Sequence, residues 1–255
     1  MPRVRLTLAF DGAAYHGWQR QVSGHTVQNH LEAALARLFP SKPETTGSSR
    51  TDAGVHARGM VVHFDVDPVD LRMAETQLAL AINALLPADI RVQHATLTEA
   101  TFHARFDALG KQYRYHIWNA PTMNPLRRTD AWHVPKPLDL AAMRAAAVKL
   151  IGRHDFRAFT SNRGDLLEDP VRTLRRLCIR RAGPLHTFVI EGDGFLYKMC
   201  RGIVGTLVLI GQGEMKPGQI DALLASGDRS EAGPNAPAHG LVLWKVFYPD
   251  GKGEN

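Results

Sequence analysis

At 255 residues, with 44% hydrophobic and 22% charged residues, the chain is long enough for one large or two modest domains, and wholesale disorder is excluded. Two cysteines exclude a disulfide scaffold and a Cys-based zinc ribbon. The net charge of +6 is uneven: residues 1–107 carry 10 basic and 11 acidic groups, residues 108–255 carry 21 and 14. A basic half beside a neutral one points to a polyanionic partner such as nucleic acid, the alternative being a soluble protein that is merely basic.

Val4, Leu6, Leu8 and Phe10 alternate with polar or small residues and predict a half-buried strand. Thr26 then caps a helix whose apolar face is Val27, Leu31, Ala34, Leu35 and Leu38, stopped by Pro40 and Pro43. A short strand is expected near Glu44 to Ser48, and an alternating one through Met60, Val62 and Phe64. Leu71, Leu78, Ile82 and Leu85 fit a second helix ending at Pro87, and Ile90 to Leu97 a further strand. The order strand, helix, strand, strand, helix, strand is that of the split βαβ, ferredoxin-like arrangement.

The second half opens with a strand over Gln112 to Trp118 and a helix over Leu140 to Ile151. Two strands follow, Arg172 to Arg181 and Thr187 to Glu191, with a turn at Gly183-Pro184. Helices over Leu196 to Ile210 and Ile220 to Leu224 precede a closing strand, Leu241 to Tyr248. The expectation is an α+β protein of two related ferredoxin-like α/β lobes, 1–107 and 108–255, with antiparallel sheets and a central active-site cleft. No secretory leader is read at the start. The longest apolar run, Ile203 to Ile210, falls short of the ~20 residues a membrane span needs, so the cytoplasm is the expected compartment.

The densest set of functional residue types is Gly47 to Gly59, placed between two predicted strands. It holds three glycines, Arg50, Arg58, Asp52 and His56. Glycines let backbone approach a ligand, and neighbouring arginines favour an ionised Asp, a plausible nucleophile. A polar loop with a surface Arg–Asp pair is the bland alternative, and the density of the cluster weighs against it. Asp52-Ala53-Gly54 has no second copy, as aspartic-protease chemistry would need, and Met60 stands where an RNP1 string needs an aromatic. Metal-ligand spacing, a phosphate loop and a dinucleotide fingerprint are all absent from the sequence. Tyr113 and Tyr115 share one face of a strand, either as core packing or as a base-stacking platform. Arg201 falls within an otherwise apolar helix, where it either finds a partner or snorkels to water.

Arg50-Thr51-Asp52-Ala53-Gly54-Val55-His56-Ala57 resembles the signature of the TruA family of tRNA pseudouridine synthases. Phe10 to Gln21 with Thr26-Val27-Gln28, Phe102-His103-Ala104-Arg105-Phe106, and Ala236-Pro237-Ala238-His239-Gly240-Leu241 are similar to further motifs of that family, over nearly the whole chain. Ser48-Ser49 stand where Ala-Gly would be expected. The resemblance implies a homodimeric isomerase, without metal or organic cofactor, that converts uridines 38–40 of the tRNA anticodon stem-loop to pseudouridine. It implies Asp52 as nucleophile and Tyr113 as the ring stacked on the target base. It implies Arg201 as basic partner of the Asp52 carboxylate, and Arg50 as a residue holding the flipped nucleotide. Arg175, Arg176, Arg180 and Arg181 are candidates for tRNA phosphates, or simply solvated charge. A non-catalytic RNA-binding protein would not explain an Asp amid groups meant for a polyanion, and a glycoside hydrolase would need a second carboxylate.

Overall fold

A computed structural model describes residues 1–22, 24–71, 73–161 and 169–249, and among these the chain is α+β. It divides into two compact units, Met1–Leu109 together with the residues from Leu243 on, and Gly110–Val242. The division expected from sequence, after residue 107, kept the closing strand with the second half; the structure counts most of that strand with the first.

The first unit runs β1 (Arg3–Phe10), α1 (Val27–Leu38), β2 (Thr46–Gly47), β3 (His56–Asp65), α2 (Glu75–Asn83) and β4 (Ile90–Thr98). β1 pairs antiparallel with both β3 and β4, and β2 with β3. The even residues of β1 are buried, as the alternation predicts. β3 is different: Met60 to Phe64 are buried without a break. One of its faces shares the main core, where the Phe39 and Phe64 rings lie 5.9 Å apart, and the other is covered by the segment around Phe102. A strand covered on both faces loses its alternation. β3 also starts at His56, so the last part of the functional-residue cluster is strand and not loop. In α1 the Thr26 side chain accepts the Asn29 N–H, and Val27, Leu31, Ala34 and Leu35 are buried. Leu38 is only half-buried, and Phe39 beyond the helix end fills the core instead. α2 is shorter than expected and leaves Leu71 outside.

The second unit runs β5 (Gly110–Trp118), β6 (Trp132–His133), α3 (Leu140–Lys149), β7 (Gly152–Asp155), β8 (Val171–Ala182), β9 (Leu185–Gly192), α4 (Met199–Gly211) and α5 (Gln219–Ser226). β5, β9, β8 and β7 form an antiparallel series, and β6 runs parallel to the end of β5. β6 and β7, of two and four residues, carry too little pattern to be read from sequence. The expected turn at Gly183-Pro184 joins β8 to β9, with Gly183 at φ +58°. α4 starts at Met199, not Leu196, because Lys198 takes a left-handed backbone (φ +58°) that cannot continue a helix. Apart from Arg201 and Leu209, α4 is buried along its length. β10 (Leu241–Phe247) closes the chain beside β3. No helix among the described residues is long and apolar enough to cross a membrane.

Candidate active site

In the first unit, Arg50 and Asp52 lie on the loop between β2 and β3. Asp52 is half-buried and Arg50 exposed. Ser48 ties the start of this loop to β3: its N–H donates to the Val61 carbonyl (2.8 Å) and its hydroxyl accepts the Val61 N–H (3.3 Å). A turn follows in which the Val55 N–H donates to the Asp52 carbonyl at 3.1 Å. The loop after β1 grips this turn. Trp18 N–H donates to the Thr51 carbonyl (3.1 Å), Gly54 N–H to the Tyr15 carbonyl (3.3 Å), and Gly12 N–H to Nδ1 of His56 (3.1 Å). A side chain at Gly12 would overlap the Val55 carbonyl, so the two backbones meet only because residue 12 is glycine.

The gripping loop is itself anchored. Val27 and Gln28, at the start of α1, donate their N–H groups to the Gly17 and Trp18 carbonyls, which satisfies helix donors that would otherwise be orphaned. Trp18 is 1% exposed, its ring stacked 6.5 Å from Phe10. Tyr15 donates its hydroxyl to Asp89 at 2.6 Å; burial, then this bond, pushes its pKa well above the ordinary tyrosine value. The sequence motif from Phe10 to Trp18 is therefore the frame that holds the Asp52 turn.

His56 has a more specific place. Its Nδ1 meets both the Gly12 N–H and, at 3.0 Å, an Asp11 carboxylate oxygen. One ring nitrogen cannot accept from the first and donate to the second at once, so the two contacts need different placements of the ring proton. Ser49 and Thr51, on either side of Arg50, bury hydroxyls that find no hydrogen-bond partner among the described residues.

In the second unit, β5 carries Tyr113 and Tyr115 on one face, and the structure separates their roles. Tyr115 is fully buried, edge-on to Trp132 and Phe188, and donates its hydroxyl to the Pro237 carbonyl at 2.9 Å. Burial pushes its pKa far up, and the Arg201 charge opposes that. Tyr115 is thus a core anchor and not half of a stacking platform. Tyr113, 8% exposed, lies edge-on to Phe195 with ring centroids 5.1 Å apart. Sequence reasoning missed Phe195; the Gly192-Asp193-Gly194 turn ahead of it is the available signal. Arg201, half-buried on α4, donates Nε–H to the Ala236 carbonyl (2.7 Å), and its own carbonyl accepts the Ala236 N–H (3.0 Å). The segment from Ala236 to Gly240 thereby ties α4 and β5 together. Arg175, Arg176, Arg180 and Arg181 are exposed on β8.

The model of a family described as tRNA pseudouridine synthase matches residues 7–107 and 146–249. Among curated proteins, the tRNA pseudouridine synthase A of Geobacillus kaustophilus is 45% identical over 97% of this chain and 95% of its own length. The protein of that name from Brevibacillus brevis is 44% identical over 97% and 100%, and that from Syntrophotalea carbinolica 46% over 97% of each chain.

Proposed function

The chain belongs to the tRNA pseudouridine synthase family and is an isomerase, and from that premise we propose that it converts uridines 38–40 of the tRNA anticodon stem-loop, with Asp52 as nucleophile. What supports this most directly is the Asp52 turn, tied by three hydrogen bonds to the loop that precedes α1.

The reaction breaks the N1–C1′ bond, turns the uracil and joins C1′ to C5, and the C5 hydrogen leaves as a proton. The half-buried Asp52 carboxylate suits attack at C1′ of the ribose or at C6 of the base. The uridine must leave its stack to be reached, and an aromatic ring returns part of that cost. Tyr113 is assigned to that stacking. Arg50, exposed two residues before the nucleophile, is assigned to the flipped nucleotide and its phosphate. Arg201 supplies positive charge to the reaction. Holding the detached base near the glycosyl carbon is a proximity task, which favours a turn fixed by its backbone. The assignment also carries the two-lobed ferredoxin-like arrangement, a homodimer and a cytoplasmic setting.

The site is tested by mapping pseudouridine in unmodified tRNA after incubation with the purified protein, using carbodiimide modification and primer extension. New stops reporting positions 38–40 are expected. Pseudouridine only elsewhere, or none, contradicts the assignment.

A further inference from the structure

Phe106 is 75% exposed, yet the backbone on which it stands is fully hydrogen-bonded through its N–H groups. All six N–H groups from Phe102 to Asp107 are hydrogen-bonded. Phe102 donates to the Glu99 carbonyl (2.9 Å), His103 to the Asp107 carboxylate (3.1 Å), and Ala104 to His63 Nδ1 (3.1 Å). Arg105 and Phe106 both donate to Nδ1 of His103 (3.1 Å each), and Asp107 to the His103 carbonyl (3.0 Å). The Ala104 carbonyl accepts the Tyr248 hydroxyl at 2.6 Å. An apolar ring displayed from such a segment is held in water by the fold and is not a loose side chain.

The rings form a ladder from the interior outward. Tyr248 and Phe102 lie 5.3 Å apart, Phe102 and His63 6.1 Å, His63 and His103 4.9 Å, and His103 and Phe106 4.2 Å with planes only 30° apart. Burial, with Arg3 and His103 nearby, lowers the His63 pKa to about 4, so that ring is neutral at pH 7. The His103 Nδ1 accepts two backbone N–H groups, which fixes the ring's orientation. The outer end of the ladder is an aromatic surface, and the Arg105 guanidinium lies 5.7 Å from the Phe106 centroid.

We propose that Phe106, backed by His103 and flanked by Arg105, is a stacking platform for an unpaired base of the bound tRNA, with Arg105 serving the adjoining phosphate. An aromatic face accepts any base, and a guanidinium beside it suits the backbone anion. An apolar side chain of a protein partner would use the ring but has no need of the cation. The chain's positive excess lies on residues 108–255, so the case for a polyanion here rests on Arg105 beside the ring. The proposal rests on tRNA as the substrate.

The test is fluorescence anisotropy with labelled, unmodified tRNA against the full chain, over a salt series, with light scattering for the mass. Phe106→Ala is expected to weaken binding about 5- to 150-fold, and Phe106→Tyr to keep it, because the stacking face is retained. Arg105→Gln is expected to lower the slope of log Kd against log salt by about one. Phe106→Ala binding as tightly as the wild type overturns the platform. So does a Phe106→Ala chain whose mass falls while its tRNA affinity holds, which would make this a contact between copies. A wild-type chain that does not bind tRNA overturns the substrate assignment itself, and is distinguishable because no variant is needed to see it.

Discussion

Around Asp52 the chain is held by main-chain donors: Trp18 N–H to the Thr51 carbonyl, Gly54 N–H to the Tyr15 carbonyl, and Gly12 N–H to the His56 ring. On the second unit, Tyr113, Tyr115 and Arg201 are held by burial and by side-chain bonds, Tyr115 to Pro237 and Arg201 to Ala236. The difference follows from what each residue must do. On the proposed assignment the Asp52 carboxylate must be reachable by the substrate, which full burial would prevent, and the backbone bonds around it hold the turn in place. A ring can be positioned by the core it helps to form. Changes around Asp52 should therefore register in rate, and changes around Tyr115 in stability.

The largest effect that sharpens this contrast is expected at His56, which acts through the loop as a positioning residue. Its replacement by Phe removes the acceptor for the Gly12 N–H and should lower kcat about 10- to 100-fold with KM for tRNA little changed, as small misplacements of a reacting group do. His56→Asn, whose side-chain oxygen can accept the same N–H, should recover much of that loss. Equal damage from both variants, or an effect confined to KM, would break the contrast. Next comes Tyr115→Phe, which leaves the Pro237 carbonyl without its partner. It should cost ~1 kcal/mol in urea unfolding while the turnover of the folded enzyme is largely kept. A rate loss without a stability loss would place Tyr115 in the chemistry. The smallest effect belongs to Ser49→Ala. Its buried hydroxyl has no partner among the described residues, so removing it should be neutral or stabilise by less than ~1 kcal/mol in the same unfolding measurement. A clear destabilisation would reveal a partner for that hydroxyl.

What could be read from the sequence, and what could not, divides along physical lines. β1 and β5 show alternation because one face of each is more buried than the other. β3 hid its second buried face, since nothing in its own pattern tells that Phe102 and His103, some forty residues later, cover it. The Asp52 loop was visible through its density of Gly, Arg, Asp and His. The bond between Gly12 and His56 was not, because a motif shows which residue types are present but not which loops meet. Tyr113 and Tyr115 looked equivalent at a spacing of two; only the Pro237 carbonyl and the surrounding rings make one of them an anchor. For Arg201 the sequence leaves a partner and a side chain reaching to water both open; the structure gives it the Ala236 carbonyl, which no residue name discloses.

The measurement closest to the central claim is tritium release from tRNA labelled at uridine C5, with the wild type and Asp52→Asn compared at equal tRNA occupancy. Isomerisation at C5 must expel that hydrogen. The account predicts release by the wild type, a loss of at least about 10³-fold in Asp52→Asn, and an unfolding temperature and tRNA affinity close to the wild type's. Release by Asp52→Asn at a rate near the wild type's would contradict it.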